Sequence, residues 1–339
     1  MVRIKIVNSV NRESKKSEGE LQKLKEELKE VARAWGADLF GVADLAPARK
    51  FMEEQCSPLL AQFDRALAAA VYFPREVINE LCYGPAHTYL HYYRVVNARL
   101  DDIALRLTGF LRERGWRAFP VPSSQRVSRD RLAGIFPHRL AAHLGGLGWI
   151  GKSCSLITPQ FGPAVRLVTV LTDAPLPADR PLASRCGDCT RCVEVCPAGA
   201  IKGVPFAFGQ ELSERLQPEL CDQHLNQVRG RFGKRVCGLC LAVCPWGQQR
   251  PRREVALAEE AEEVPGGGSA APDAVNAESA EASAGRKGTE AAGSGLLPLS
   301  KIKQHWKVYY GKISCGELPS QGRQKGRQKA GREEEDDEV

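Results

Sequence analysis

The sequence predicts an α/β layer domain followed by a short domain stapled by metal, and three observations carry that expectation. From Leu21 to Thr172, stretches with helical spacing of apolar residues alternate with stretches that read as buried strands. Eight of the twelve cysteines crowd between Cys186 and Cys244, in a loop-rich segment too short to build an apolar core of its own. Beyond Pro251 the composition turns to Ala, Glu, Gly and Ser, which cannot bury enough surface to fold. The chain therefore divides into a polar leader over 1–20, an α/β domain over 21–183, a cysteine domain over 184–250, and a mostly disordered tail over 251–339.

The elements follow in order. Leu21, Leu24, Leu28, Val31 and Trp35 recur at helical spacing, with Gly36 where the helix should stop. Asp38–Asp44 and Arg65–Phe73 read as buried strands, the second closed by Pro74. A long helix is expected from Tyr89 to Arg114, with Leu100, Ile103, Leu107 and Leu111 on one face and Gly115 as its cap. Trp116–Val121 is a further strand. A helix over Pro137–Leu144 then leads to a hairpin-like pair, Ser155–Thr158 and Ala164–Thr172.

The bulk properties narrow the class. No apolar run approaches the roughly 20 residues that cross a bilayer, and the basic start at Met1 lacks an apolar stretch long enough for export. Both absences lead to an expectation of a cytoplasmic protein. Clustered cysteines in such a setting read as metal ligands rather than disulfides. The net charge of +7 is compatible with an acidic partner such as RNA but is also an ordinary solvated surface.

The cysteine spacing names the metal. Cys186, Cys189, Cys192 and Cys196, followed by Pro197, form the C-x2-C-x2-C-x3-C-P run of bacterial two-cluster ferredoxins, whose fourth cysteine ligates the other cluster. Two-residue gaps let a tight turn place three thiolates on three corners of a cube, and the three-residue step sends the fourth sulfur away. Cys237, Cys240 and Cys244, followed by Pro245, repeat the pattern without the upstream cysteine, which Cys221 replaces. One [4Fe–4S] cluster is then expected on Cys186, Cys189, Cys192 and Cys244. The other falls to Cys196, Cys221, Cys237 and Cys240. Structural zinc also uses four thiolates, but it does not account for three cysteines at successive two-residue gaps followed by Cys-Pro. Cys56, Cys82, Cys154 and Cys315 read as inert buried thiols.

Ahead of the cysteines runs a glycine-rich turn with Gly145, Gly146, Gly148 and Gly151, ending at Lys152. It is neither a Walker A loop nor a dinucleotide fingerprint. Alone, it serves equally well as a helix–strand connection or as a close approach to a ligand. In the order Gly148-Trp149-Ile150-Gly151-Lys152, then Val170-Leu-Thr-Asp173, then Cys186-Gly-Asp-Cys189, then Cys244-Pro-Trp-Gly247, the chain resembles the epoxyqueuosine reductase family over about residues 22–250. That resemblance implies a cobalamin domain similar to that of reductive dehalogenases, followed by a ferredoxin-like domain with two [4Fe–4S] clusters. It also implies electrons passing from a ferredoxin- or flavodoxin-type donor through the clusters to cobalamin, and reduction of epoxyqueuosine in tRNA. By the same resemblance Gly148, Trp149, Ile150, Gly151 and Lys152 would line the corrin pocket, and Tyr92 and Arg94 match a family helix.

Opening an epoxide requires a proton donor to the departing oxygen. Where the family carries an aspartate in a Val-Asp-Thr-like segment before Glu-Arg, this chain reads Phe119-Pro-Val-Pro-Ser-Ser124 and His138-Arg139. Asp130 is the lone carboxylate between Trp116 and Asp173, so Asp130 and His138 are the candidate donors, with His143 as a further one. A solvated loop aspartate and histidines packed on a helix are the bland alternatives. Near the C-terminus, Lys301 to Lys312 interleaves charge with Trp306, Tyr309 and Tyr310, a pattern that suits base stacking or a docking tail. The competing reading of the whole chain is a ferredoxin-like relay that docks a partner and binds no corrin.

Overall fold

The computed structural model describes residues 17–125, 132–248 and 297–307. Helix α1 (Glu18–Ala34) opens with a capping box in which the Ser17 hydroxyl accepts from the Glu20 N–H and the Glu20 carboxylate accepts from the Ser17 N–H. The helix thus begins three residues before Leu21, inside the stretch read as leader. Strand β1 (Leu39–Asp44), α2 (Arg49–Gln55), β2 (Arg65–Tyr72), α3 (Arg75–Glu80), α4 (His87–Glu113) and β3 (Ala118–Val121) follow. Next come α5 (His138–Leu144), two short strands β4 (Trp149–Ile150) and β5 (Leu156–Ile157), and the long β6 (Val165–Thr172).

The main sheet has the order β1-β2-β6-β3, and every pairing is antiparallel. The domain is therefore the α+β variant of the predicted layer class. The expected hairpin is rearranged. Strand β5 pairs back onto β4, while β6 crosses to the sheet centre between β2 and β3. The cause is the composition of β6, whose last six residues are all buried: a strand apolar on both faces needs partners on both edges and layers on both sides.

Strand β2 shows how the layers meet. Leu67, Ala69 and Val71 face a core built with Leu28 of α1 and Leu100, Ile103 and Leu107 of α4. Ala66, Ala68 and Ala70 face the opposite core with Met52 of α2 and Ala141 and Ala142 of α5. Small side chains on one face let α5 lie close against the sheet. The tightest point is Gly41, where a Cβ would overlap the Gly145 carbonyl.

The cysteine segment adds α6 (Arg191–Val195), α7 (Pro218–Phe232) and α8 (Leu239–Ala242). A last helix, α9 (Leu299–Trp306), lies inside the region read as disordered tail and corrects that reading locally. Ile302 and Trp306, one turn apart on one face, are fully buried, and the Trp306 indole N–H donates to the Leu81 carbonyl at 2.8 Å. Trp306 therefore has no free face for stacking on bases. Tyr309, Tyr310 and Lys312 lie outside the described residues. Among the described residues no helix is long and apolar enough to cross a membrane.

Candidate active site

The structure brings the clustered cysteines into two groups. The Cys192 thiol is pushed up to about 11 by burial and then by its neighbours Cys189, Cys244 and Cys186. Cys237 is pushed up to about 12 by burial, with Cys221 and Cys196 adding to it. Cys240 is raised by burial and by Cys237, Cys221 and Cys196. The neighbours of Cys192 and Cys237 fall within the foursomes read from the spacing, while Cys240 also feels Cys192 of the other foursome. The thiols gather without pinching together: among the described residues no three His, Cys, Asp or Glu side chains converge on one ion. Buried thiols that hold one another protonated are a donor set suited to a positively charged iron core, which displaces the protons on binding.

The loops around the first foursome are tied down by cations. Lys152 Nζ donates to the Gly187 carbonyl at 2.6 Å and reaches the Cys189 carbonyl at 3.4 Å. Arg191 Nε donates to the Val243 carbonyl at 3.2 Å. Arg75 donates to the Leu241 and Ala242 carbonyls at 3.2 and 2.5 Å. Gly247 leaves room for this guanidinium, which a Cβ there would push aside.

A cleft of about 340 Å³ opens beside the cysteine segment. Leu241, between Cys240 and Cys244, forms part of its wall, and Tyr89, Tyr93, His138, Arg139 and Arg166 bring polar atoms to it. Tyr93 comes from α4 and Arg166 from β6. The Arg166 guanidinium lies 3.9 Å from the centre of the Tyr93 ring, and its Nε donates to Asn97 at 3.1 Å. The Tyr93 hydroxyl shares a hydrogen bond with Ser124 at 3.1 Å. Burial raises the phenol pKa, but Arg166 and the hydrogen bonds from Ser124, Asn97 and Arg166 outweigh it, and the net displacement is downward. Tyr89 shows the contrast: burial dominates and pushes its pKa above the ordinary tyrosine range.

The sequence relatives fit this geometry. A 4Fe-4S double cluster binding domain model matches residues 185–247. An epoxyqueuosine reductase of Bacillus cereus is 37% identical over 122 residues, 33% of this chain and 30% of its own length. One from Synechocystis is 28% identical over 234 residues, 65% of this chain and 73% of the relative. The chain is similar to epoxyqueuosine reductases. It spans 30% of the first two curated relatives and 55% of the third. In fold it is similar to a catabolic reductive dehalogenase solved with 3-bromo-4-hydroxybenzoic acid, with TM-score 0.53 and 19% identity, covering 69% of this chain and 36% of that one.

The family-derived residues land in different places. Of Gly148, Trp149, Ile150, Gly151 and Lys152, none lines the cleft; Ser155 and Leu156, just beyond, do. The glycines serve backbone packing: a Cβ on Gly148 would overlap the Ile157 carbonyl, and one on Gly151 would press on the Ile157 side chain and reach the Cys186 sulfur at 3.4 Å. Tyr92 is exposed, and it is its neighbour Tyr93 that turns into the cleft. The helical spacing of Leu100, Ile103 and Leu107, extended back through Val96, marks Tyr93 as inward-facing and was the signal available for it. Asp130 lies outside the described residues. His138 does line the cleft, but both nitrogens are engaged at 2.9 Å: Nε2 donates to the Pro122 carbonyl and Nδ1 accepts from Thr169. Burial lowers its pKa to about 4, so it is a neutral imidazole at ordinary pH. His143 faces the Gly148 carbonyl and the Phe206 ring, away from the cleft.

Proposed function

We propose that the chain is an iron–sulfur reductase of the epoxyqueuosine reductase type, with cobalamin in the cleft and Tyr93 as the proton donor. The observation that carries the reading is the shared wall: Leu241, flanked by Cys240 and Cys244, lines the cleft that also holds Tyr93. The clusters would be held by Cys186, Cys189, Cys192 and Cys244 and by Cys196, Cys221, Cys237 and Cys240. They would supply one-electron transfers between an external low-potential donor of the ferredoxin or flavodoxin type and the cleft. The cleft lining fits a broad conjugated ring, with Phe73, Ile78, Leu156 and Leu241 as apolar surface and Arg139 and Arg166 for polar side groups. Bound there, cobalamin would supply a metal centre that can be reduced twice and attack an epoxide carbon.

The protein's own part is proton supply and orientation. As the epoxide C–O bond breaks, the oxygen gains charge, and the Tyr93 hydroxyl is the acid positioned to neutralise it. Arg166 stabilises the phenolate left behind, and Ser124 aims the hydroxyl. Among the described residues no carboxylate lines the cleft, and of its two phenols Tyr93 is the one whose pKa is drawn downward. The substrate inferred from the relatives' name is epoxyqueuosine, carried on tRNA, in the cytoplasm.

Full-length chain reconstituted without oxygen provides the test. The expected inventory is about eight irons and one cobalt per chain, a changed cobalamin spectrum, and conversion of an epoxyqueuosine-bearing tRNA stem-loop under a strong reductant. An unaltered cobalamin spectrum at excess protein holding both clusters would return the chain to the relay reading.

A further inference from the structure

We infer that Arg75, Lys152 and Arg191 form a cationic cradle that holds the Cys186, Cys189, Cys192 and Cys244 cluster at a higher reduction potential than its partner cluster. The inference rests on the two-cluster reading and adds a difference between the clusters that cysteine spacing alone does not contain.

Three cations converge on one foursome. Lys152 and Arg191 line the small cavity that all four of Cys186, Cys189, Cys192 and Cys244 border, with Cys240 of the second foursome alone joining them. Arg75 approaches from α3, and Cys244 exerts the largest pull among its charged neighbours. The buried thiol Cys82 feels both Arg75 and Arg191. Arg75 is 8% exposed, and its Nε–H is buried without an acceptor, although the other guanidinium nitrogens are satisfied. An orphan donor in the wall of a thiol nest is suited to an inorganic sulfide or a thiolate of a bound cluster. The carboxylates on the same loops, Asp188 and Glu194, are exposed, and Glu194 is tied to Thr190. Water screens them far more than it screens Arg75.

The second foursome is differently furnished. The cation beside Cys221, Arg235, is ion-paired with Asp222, so the two charges nearly cancel there. Arg139 registers Cys240 only as the weakest of its charged neighbours. Reducing a cluster by one electron makes it more negative, so an unpaired buried cation nearby stabilises the reduced form. The cradle therefore separates the two potentials, with the uncradled cluster the lower.

The test is an anaerobic redox titration of the full chain followed by electron paramagnetic resonance. Cys186→Ser and Cys196→Ser assign each signal to its cluster. Arg75→Met, Arg191→Met and Lys152→Met should each shift the reduced-to-oxidised ratio of the cradled cluster toward oxidised. The Arg75 variant should shift it about tenfold, about 59 mV for one electron. The partner cluster should move less than threefold, and Arg75→Lys and Lys152→Arg should restore most of the original value. Equal movement of both clusters, or none in variants retaining their iron, overturns the inference. Should Arg75→Met lose iron, half-buried Lys152 decides the matter. A wild-type protein showing a single cluster signal or far fewer irons would overturn the two-cluster reading itself, an outcome separate from any shift in potential.

Discussion

The sheet domain and the cysteine segment are held together by different physics. In the first, two apolar cores sandwich a four-stranded sheet, and Leu28, Leu67, Leu100 and Ile103 are buried almost completely. In the second, the buried apolar side chains reduce to a few, such as Val195, Val228, Leu239 and Val243, spread along helices of five, fifteen and four residues. At about 25 cal/mol per Å² of buried apolar surface, the sheet domain can stabilise itself. The cysteine segment relies on cluster binding and on being clamped by Arg75, Lys152 and Trp306. The lesson is that rigidity where electrons pass comes from metal and from borrowed contacts.

Breaking that division should have its largest effect at the ligands. Cys240→Ser is expected to halve the iron content, from about eight to about four per chain. It should abolish turnover while leaving the far-ultraviolet circular dichroism of the sheet domain nearly unchanged. Collapse of the whole spectrum would show that the two regions are not separable. Tyr93→Phe should cost about 10²–10⁴ in turnover with iron content and cluster spectra intact, a loss confined to the cleft side of the comparison.

The borrowed contacts come next. Trp306→Ala removes a fully buried indole and its hydrogen bond to Leu81, at a cost of about 3–5 kcal/mol. The loss should appear first as faster iron release to a chelator, because α9 packs against α6 of the cysteine segment. The smallest effect belongs to His138 in the sheet domain. Its folded pKa, about 4, lies below its ordinary 6.5, so the unfolded chain binds the proton more readily between those values. Stability is then complete above pH 6.5 and falls as pH drops toward 4, by at most about 3 kcal/mol. His138→Gln should flatten that slope in chemical denaturation measured across the window.

Where sequence foretold structure, a local rule was sufficient. Cysteine spacing speaks to the thiol grouping because ligand geometry is set within a few residues, and the apolar period of α4 gave both its length and its Gly115 stop. The misreadings were nonlocal. Ala164–Thr172 looks like half of a hairpin, and only the need to bury both faces sends β6 to the sheet centre. Leu299–Trp306 looks like tail because the groove that receives it is assembled from distant segments. Asp130 drew notice as the lone local carboxylate, whereas Tyr93 acquires its acidity from Arg166, 73 positions further along. Lys152, read as a ligand-pocket residue, is engaged by carbonyls of the first cysteine loop.

The contact between Gly41 and Gly145 has a bearing on how the cleft could change shape. Helix α5, whose first residues bring His138 and Arg139 to the cleft wall, rests against β1 at a point with no room for a methyl group. A single added carbon at position 41 would collide with the Gly145 carbonyl and the Leu147 side chain, neither of which lines the cleft. Gly41 thus acts as a spacer of zero thickness, and the seat of the helix that carries His138 and Arg139 is set from the edge strand of the sheet.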